Sequence, residues 1–255
     1  RQFSANDTPL PKTDLQTIGA RYAYRKPIKM LFYFISLNYD RTGQNFINSY
    51  VIDSGVTKVI AIDYKNITDK YALSGNISKY LFLISTSISA SGNIGLQKGN
   101  NLYNNEISPF NAYNMNLSLT VRKKIFSKIT ASVTGDLGKF INEQNSLDDS
   151  VIKNITKLNK LKAEWQHNLS DQITYTIAYN FTSYKQALSQ MVNNSFLDLN
   201  LKYNPAKWKS FFELQCINLI NQNLYQQVNS DSNQLSTFQL PLRPRTLLLK
   251  YSFTF

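Results

Sequence analysis

The sequence holds a single cysteine, Cys216, and a single histidine, His167. One cysteine excludes an intrachain disulfide framework. One of each excludes a zinc cage built from thiols and imidazoles. A lone histidine also leaves any candidate nucleophile with one conceivable base, so catalysis is not expected. No Gly-rich phosphate loop and no metal-ligand spacing is present, so no cofactor is expected either. Apolar runs stay well short of the ~18 residues that a membrane-spanning helix requires. Charge is scarce as well, at 17% of residues against about 25% in soluble domains.

Aromatic residues, by contrast, reach 13%, nearly all of them the 16 Tyr and 15 Phe. The mean hydropathy is −0.32, a value typical of soluble proteins. A transmembrane barrel reaches the same average, because lipid-facing apolar residues alternate with lumen-facing polar ones. The net charge of +12 raises the question of nucleic acid. The basic residues are spread along the chain (Arg25, Lys26, Lys29; Arg122, Lys123, Lys124; Lys207, Lys209) rather than gathered on one face, which argues against it.

The organising signal is a two-residue period held for about 9–11 residues, one bilayer crossing of a tilted strand. Over 172–184 one face carries Ile173, Tyr175, Ile177, Tyr179 and Phe181, the other Thr174, Thr176, Ala178, Asn180 and Thr182. The stretch 111–121 sets Tyr113, Met115, Leu117, Leu119 and Val121 against Asn114, Asn116, Ser118 and Thr120. The same alternation fills 127–138 and 195–203. In 81–93 it places Phe82, Ile84 and Ile88 opposite Ser85, Ser87, Ser89, Ser91 and Asn93. The polar face is mostly uncharged Ser, Thr and Asn, as a hydrated lumen prefers. Aromatics gather near segment ends, where interfacial girdles lie.

Such spans are expected near 15–25, 30–40, 69–78, 81–96, 111–122, 127–138, 157–167, 172–184, 195–203, 208–220 and 244–255, about eleven crossings. Short connections (near 25–29, 78–80, 122–126, 168–171 and 204–207) alternate with long ones (41–68, 98–110, 139–156, 185–194 and 221–243). Short periplasmic turns and long extracellular loops are the habit of outer-membrane barrels. Within 41–68, the segments 50–53 and 56–62 flank Ser54-Gly55 as a hairpin above the membrane. The fold expected is all-β: a transmembrane antiparallel β-barrel occupying 1–255 as one segment without a plug domain. An odd count of about eleven fits part of a larger barrel, because single-chain bacterial barrels close on an even number. Export would be directed by something upstream of Arg1.

The last residues run Leu247, Leu249, Tyr251, Phe253 and Phe255 on one face. Tyr251, Phe253 and Phe255 resemble the terminal signal by which outer-membrane proteins are recognised for insertion, which implies the barrel-assembly machinery as a partner. The Leu242-Arg243-Pro244-Arg245 lead-in, Asn218-Leu219-Ile220-Asn221-Gln222-Asn223 and Tyr71-Ala72-Leu73-Ser74-Gly75-Asn76 resemble segments of TonB-dependent outer-membrane transporters of the Bacteroidota, SusC-like type. That resemblance implies the C-terminal half of a barrel of about 22 strands, with the other half and a plug on the same or another chain. It also implies nutrient import with TonB and a surface lipoprotein as partners, in the Gram-negative outer membrane with its lipopolysaccharide. A scaffold for a surface or secretion complex, or a passive porin, are the alternatives.

Candidate lumen-facing residues are Asn114, Asn116, Asp136, Lys160, Lys162, Glu164, Asn180, Asp198 and Lys202. Of these, Lys160, Lys162, Glu164, Asp198 and Lys202 either line a solute path or serve cross-strand pairing or plug contact, and the second is favoured. His167, beside Trp165 at a strand end, is expected to be interfacial, and Cys216 a small apolar filler. Triplets such as Asn116-Leu117-Ser118 and Asn180-Phe181-Thr182 read as glycosylation acceptors, but alternating strands produce them by default.

Overall fold

The computed structural model describes residues 4–5, 12–53, 56–103, 106–145, 151–186, 191–206, 209–230 and 235–253. Nearly all of them lie in strands: β1 (Ser4–Ala5), β2 (Thr13–Lys26), β3 (Leu31–Asp53), β4 (Val56–Leu81), β5 (Thr86–Tyr103), β6 (Glu106–Ile125), β7 (Ile129–Asn145), β8 (Val151–Asn168), β9 (Ile173–Gln186), β10 (Val192–Tyr203), β11 (Ser210–Ile217), β12 (Leu224–Ser230), β13 (Leu235–Pro241) and β14 (Thr246–Phe253). Eleven of these, β2 to β11 and β14, form one antiparallel sheet, with the two-residue β1 added parallel to β4. Each long strand pairs with its sequence neighbours, so the sheet is an up-and-down meander. The hairpin β12–β13 is a separate two-stranded sheet inserted between β11 and β14.

Five tight connections lie at one end of the sheet. Two of them share a device. A 3₁₀ turn over Pro27–Lys29 or Phe82–Ile84 is closed by a left-handed residue, Met30 (φ 46°) or Ser85 (φ 50°), whose N–H donates to the first carbonyl of the turn. Phe126 (φ 59°) occupies the left-handed region at the next turn. The sequence pattern placed Phe82 and Ile84 in a strand. They form the turn instead, and β5 starts two residues beyond Ile84.

At the far end the strands extend well past the alternating segments. Asp53 pairs with Val56, and Tyr103 with Glu106, so the segments 41–68 and 98–110 expected as long connections are largely paired strand, apart from a bulge between Gln44 and Phe46. The segment 221–243 carries the β12–β13 hairpin.

Among the described residues the sheet does not close, since β2 pairs only with β3 and β14 only with β11. Both edge strands run toward the short-turn end. β2 leads into the Pro27–Lys29 turn, while Phe253 of β14 lies opposite Ser210, the first residue of β11. Pairing one edge with the other would therefore create a parallel seam.

The buried hydrophobic core is almost nil. Ile47, Leu102 and Phe110 are the buried hydrophobics among the described residues, and all three lie in the far-end extensions. By contrast Ile35, Leu117, Leu137 and Leu249 are 51%, 53%, 57% and 75% exposed. Each large aliphatic left in water forgoes about 1.5–3 kcal/mol. Over a whole sheet face that sum exceeds the roughly 5–15 kcal/mol by which a domain is stable, so the face requires an apolar cover.

Candidate functional site: a two-faced sheet and its far-end mouth

Because successive side chains alternate, the register assigns every strand residue to a face. One row runs Asn76–Ser91–Ser118–Asp136–Lys160–Thr182–Asn194 across β4 to β10. Following the same parity, Asn114, Asn116, Asp136, Lys160, Lys162, Glu164, Asn180, Asp198 and Lys202 all fall on this polar face. The register brings the nine together as a surface, not as a compact cluster.

Their partners differ from one another. Lys162 pairs with Glu164 at 3.8 Å along the same strand, and Lys160 stands opposite Asp136 in register. Asn116 reaches across Gly138, where an added Cβ would lie 3.0 Å from its Oδ1. With Asn76, Ser91, Asn93, Ser118 and Asp136 it lines a cleft of about 490 Å³. Lys202 lies over the Phe211 ring at 4.3 Å.

Glu213, which the sequence pattern did not single out, organises that corner. Its Oε1 accepts from Asn200 Nδ2 at 2.6 Å and Gln215 Nε2 at 2.9 Å, and Lys250 Nζ lies 3.9 Å from Oε2.

The opposite face is apolar over a limited height. A representative row is Tyr33–Ile77–Ala90–Leu119–Gly135–Leu161–Phe181. Cys216, opposite Leu199 and Leu247, lies on this face. Toward the short turns the band ends in aromatics: Tyr24 stacks on Tyr33 at 5.1 Å, and Phe212 meets Tyr251 at 4.9 Å. Trp165 is on the same face, and His167 Nδ1 lies 3.2 Å from the Tyr175 hydroxyl. Tyr251 and Phe253 belong to this face; Phe255 lies outside the described residues.

Toward the far end the band stops at charges. Arg41, Asp69, Lys98, Asn111, Glu143 and Lys153 form one continuous cross-strand row, with ion pairs Arg41–Asp69 at 3.7 Å and Lys153–Glu143 at 2.6 Å. On β7 to β9 the first charges come four residues lower, at Lys139, Lys157 and Lys185. A boundary that steps along the register is what strands tilted to a common plane produce. From Leu31 to Arg41 the strand covers about 34 Å, or about 24 Å of height at a tilt of ~45°. That matches the ~25 Å apolar belt of outer-membrane barrels.

At the far end of the sheet, the β12–β13 hairpin folds over the polar face. Asn194, 1% exposed, donates from Nδ2 to the Gln226 carbonyl at 2.7 Å and accepts the Gln226 N–H at 3.0 Å. Phe196 and Tyr225 rings lie 6.4 Å apart, and the Tyr184 and Tyr225 hydroxyls share a hydrogen bond. Tyr184, Asn194 and Phe196 are all polar-face positions.

The hairpin's stem is tied by Asn218, in the left-handed region at φ 59°. Its N–H donates to Asp198 Oδ1 at 2.8 Å, its Nδ2 to the carbonyls of Gln222 (2.9 Å) and Arg243 (3.2 Å), and its Oδ1 accepts the Gln222 N–H. Asp198 thus anchors the stem, a role that alternation alone did not reveal. The segment 218–223, singled out for its resemblance to a transporter motif, is this knot.

No protein-family model, curated protein or solved structure matches the chain. Among the described residues no helix is long and apolar enough to cross a membrane, which says nothing of strands. No group of three or more His, Cys, Asp or Glu among them could hold a metal ion. Chemically the arrangement offers one apolar face about 24 Å high and one polar face hung with amides, hydroxyls and a few ion pairs.

Proposed function

We propose that this chain supplies eleven strands of a larger outer-membrane β-barrel, the C-terminal barrel portion of a TonB-dependent transporter that imports a nutrient. The observation that carries the membrane reading is the apolar belt of about 24 Å height, ringed by aromatics and charges, on one face of a sheet whose other face is polar. Lipid is the cover such a face requires, because a bilayer leaves no apolar surface in water.

The like direction of β2 and β14 supports the larger barrel. An all-antiparallel closure needs an odd number of further strands, which brings the total to an even one. The transporter reading rests on the resemblance of segments 71–76, 218–223 and 242–245 to Bacteroidota TonB-dependent barrels. In it, the short turns face the periplasm, and the β3–β4 and β12–β13 hairpins face outward.

The test is uptake by cells carrying the full-length protein, with and without a protonophore, beside a strain lacking the gene. Uptake that depends on both the gene and the proton-motive force supports the importer. Gene-dependent uptake that survives the protonophore replaces it with a passive porin. Unchanged uptake on deletion, with loss of a surface complex, replaces it with a scaffold.

A further inference from the structure

Toward the far end, the polar face holds a cavity of about 290 Å³ between β4 and β8. It lies level with the Arg41–Asp69–Lys98 row that ends the apolar belt on the other face. Small residues make the room for it. An added Cβ on Gly95 would run into the Asn114 carboxamide, and one on Gly99 would lie 3.0 Å from Phe110 Cε1. Ala112 leaves the floor between these two rows low. Glycine weakens a strand interior, and its presence there goes with close approach to the backbone.

Two kinds of group meet in this hollow. Phe110, 7% exposed, and Phe140, 37% exposed, supply an apolar wall. Gln97, Asn114 and Asn154 supply carboxamides, and Lys70 supplies an ammonium. None of these four side chains forms a hydrogen bond or ion pair with another described residue. Asp40 stands directly opposite Lys70 in register, yet the two do not pair, and Lys70 lines the cavity. Lys70 is also the one charged side chain among the described residues of the lining.

The lining sets conditions on an occupant. One ammonium balances the single charge of a carboxylate but not the roughly −1.5 to −2 of a phosphate monoester. A neutral sugar leaves Lys70 unanswered, and a fatty acid leaves the three carboxamides unanswered. The volume is at the floor of the roughly 300–1,000 Å³ of ligand pockets, so the occupant is small.

We infer that this cavity binds a small carboxylic acid with one apolar face and several amide or hydroxyl groups. The inference rests on the barrel reading above, which makes the polar face a lumen, and it names the solute class that this wall selects. The carboxylate meets Lys70, the apolar face lies on Phe140, and the polar groups meet Gln97, Asn114 and Asn154. An N-acylated amino acid and a uronic acid both present this chemistry.

The experiment is isothermal titration calorimetry on the full-length protein in detergent micelles. The probes are N-acetylphenylalanine and glucuronate, each beside its neutral carboxamide, so that the arms separate a peptide-like source from a sugar-like one. At least one acid should bind about tenfold more tightly than its carboxamide, the factor that a hydrogen bond to a charged group supplies. Lys70→Gln should erase that difference, while Lys70→Arg should keep the acid within about threefold of its original affinity. Phe140→Ala should weaken the acid by about fivefold. Asp40→Asn, outside the cavity, should change it by less than about threefold.

Binding of neither acid overturns the inference, as does equal affinity for acid and carboxamide. Undiminished affinity in Lys70→Gln or Phe140→Ala also overturns it, because the acid then sits elsewhere. Binding is read without transport, so its failure leaves the importer to be judged by the uptake test. Intact, Lys70-dependent binding beside gene-independent uptake supports the site and overturns the importer alone.

Discussion

Asn194 and Gln226 pair as though they were neighbours in a sheet, although one contributes a side chain and the other its backbone. The amide of Asn194 gives and receives the two hydrogen bonds that a strand would exchange, at 2.7 and 3.0 Å. This buried carboxamide fixes the hairpin over the polar face.

Asn194→Ala should therefore release the hairpin without unfolding the sheet. Leaving the Gln226 N–H and carbonyl without protein partners costs about 1–3 kcal/mol. The Gln226 amide should exchange faster with deuterium, and proteolysis within 224–241 of the folded full-length protein should accelerate by at least about tenfold. Unchanged exchange at Gln226 would mean that the ring contacts of Tyr225 hold the hairpin by themselves.

Asn218 combines backbone geometry with side-chain bonding, and two substitutions separate them. Asn218→Gly keeps the left-handed conformation but loses the bonds to Gln222 and Arg243. Asn218→Ala loses the bonds and strains the backbone as well. Alanine should be the worse by about 1 kcal/mol, in urea titrations of the full-length protein refolded into vesicles. Equal losses would show that the hydrogen bonds alone matter.

At the turn after β4 the left-handed residue is Ser85, φ 50°. Ser85→Gly relieves that backbone and should raise stability by about 0.5–1 kcal/mol in the same titration. A loss instead would show that the glycine's extra freedom in the unfolded chain outweighs the relief.

The faces make opposite predictions for one substitution. Leu117→Arg, mid-height in the apolar belt, should destabilise the protein in vesicles by about 2–4 kcal/mol. Ser132→Arg, on the polar face opposite Glu164, should change stability by less than about 1 kcal/mol. Equal effects would mean that both faces meet water.

What the sequence made legible follows from where the alternation had a cause. Where one face is apolar and the other polar, as in 111–121 and 172–184, the period of two is strict, and the eleven strands of the main sheet were countable from it. Beyond the belt the two faces no longer sort by polarity, and Ile47, Leu102 and Phe110 are buried there, so the period fades although pairing continues. Asn100 with Pro109 and Phe140 with Thr156 are paired strand residues in segments that read as loops. The Phe82–Ile84 turn was hidden because it carries no Gly, Pro or Asn, and its left-handed position is taken by a serine. Among the polar-face residues, parity gave the face and nothing more. That Asp198 caps Asn218, that Glu213 gathers Asn200 and Gln215, and that Asn194 holds the hairpin are contacts between distant segments. No local pattern encodes them.

The shared direction of β2 and β14 bears on symmetry. Two copies of this sheet related by an axis along a pore would meet β14 against β2, both pointing the same way. Turning one copy over would restore antiparallel pairing only by sending its long hairpins to the opposite side of the membrane. Self-doubling is thus a poor route to an all-antiparallel barrel. The strands that would complete such a barrel must begin and end in the direction opposite to β2 and β14, an odd set that another eleven would satisfy, so the two parts of the wall would differ in polarity rather than in number.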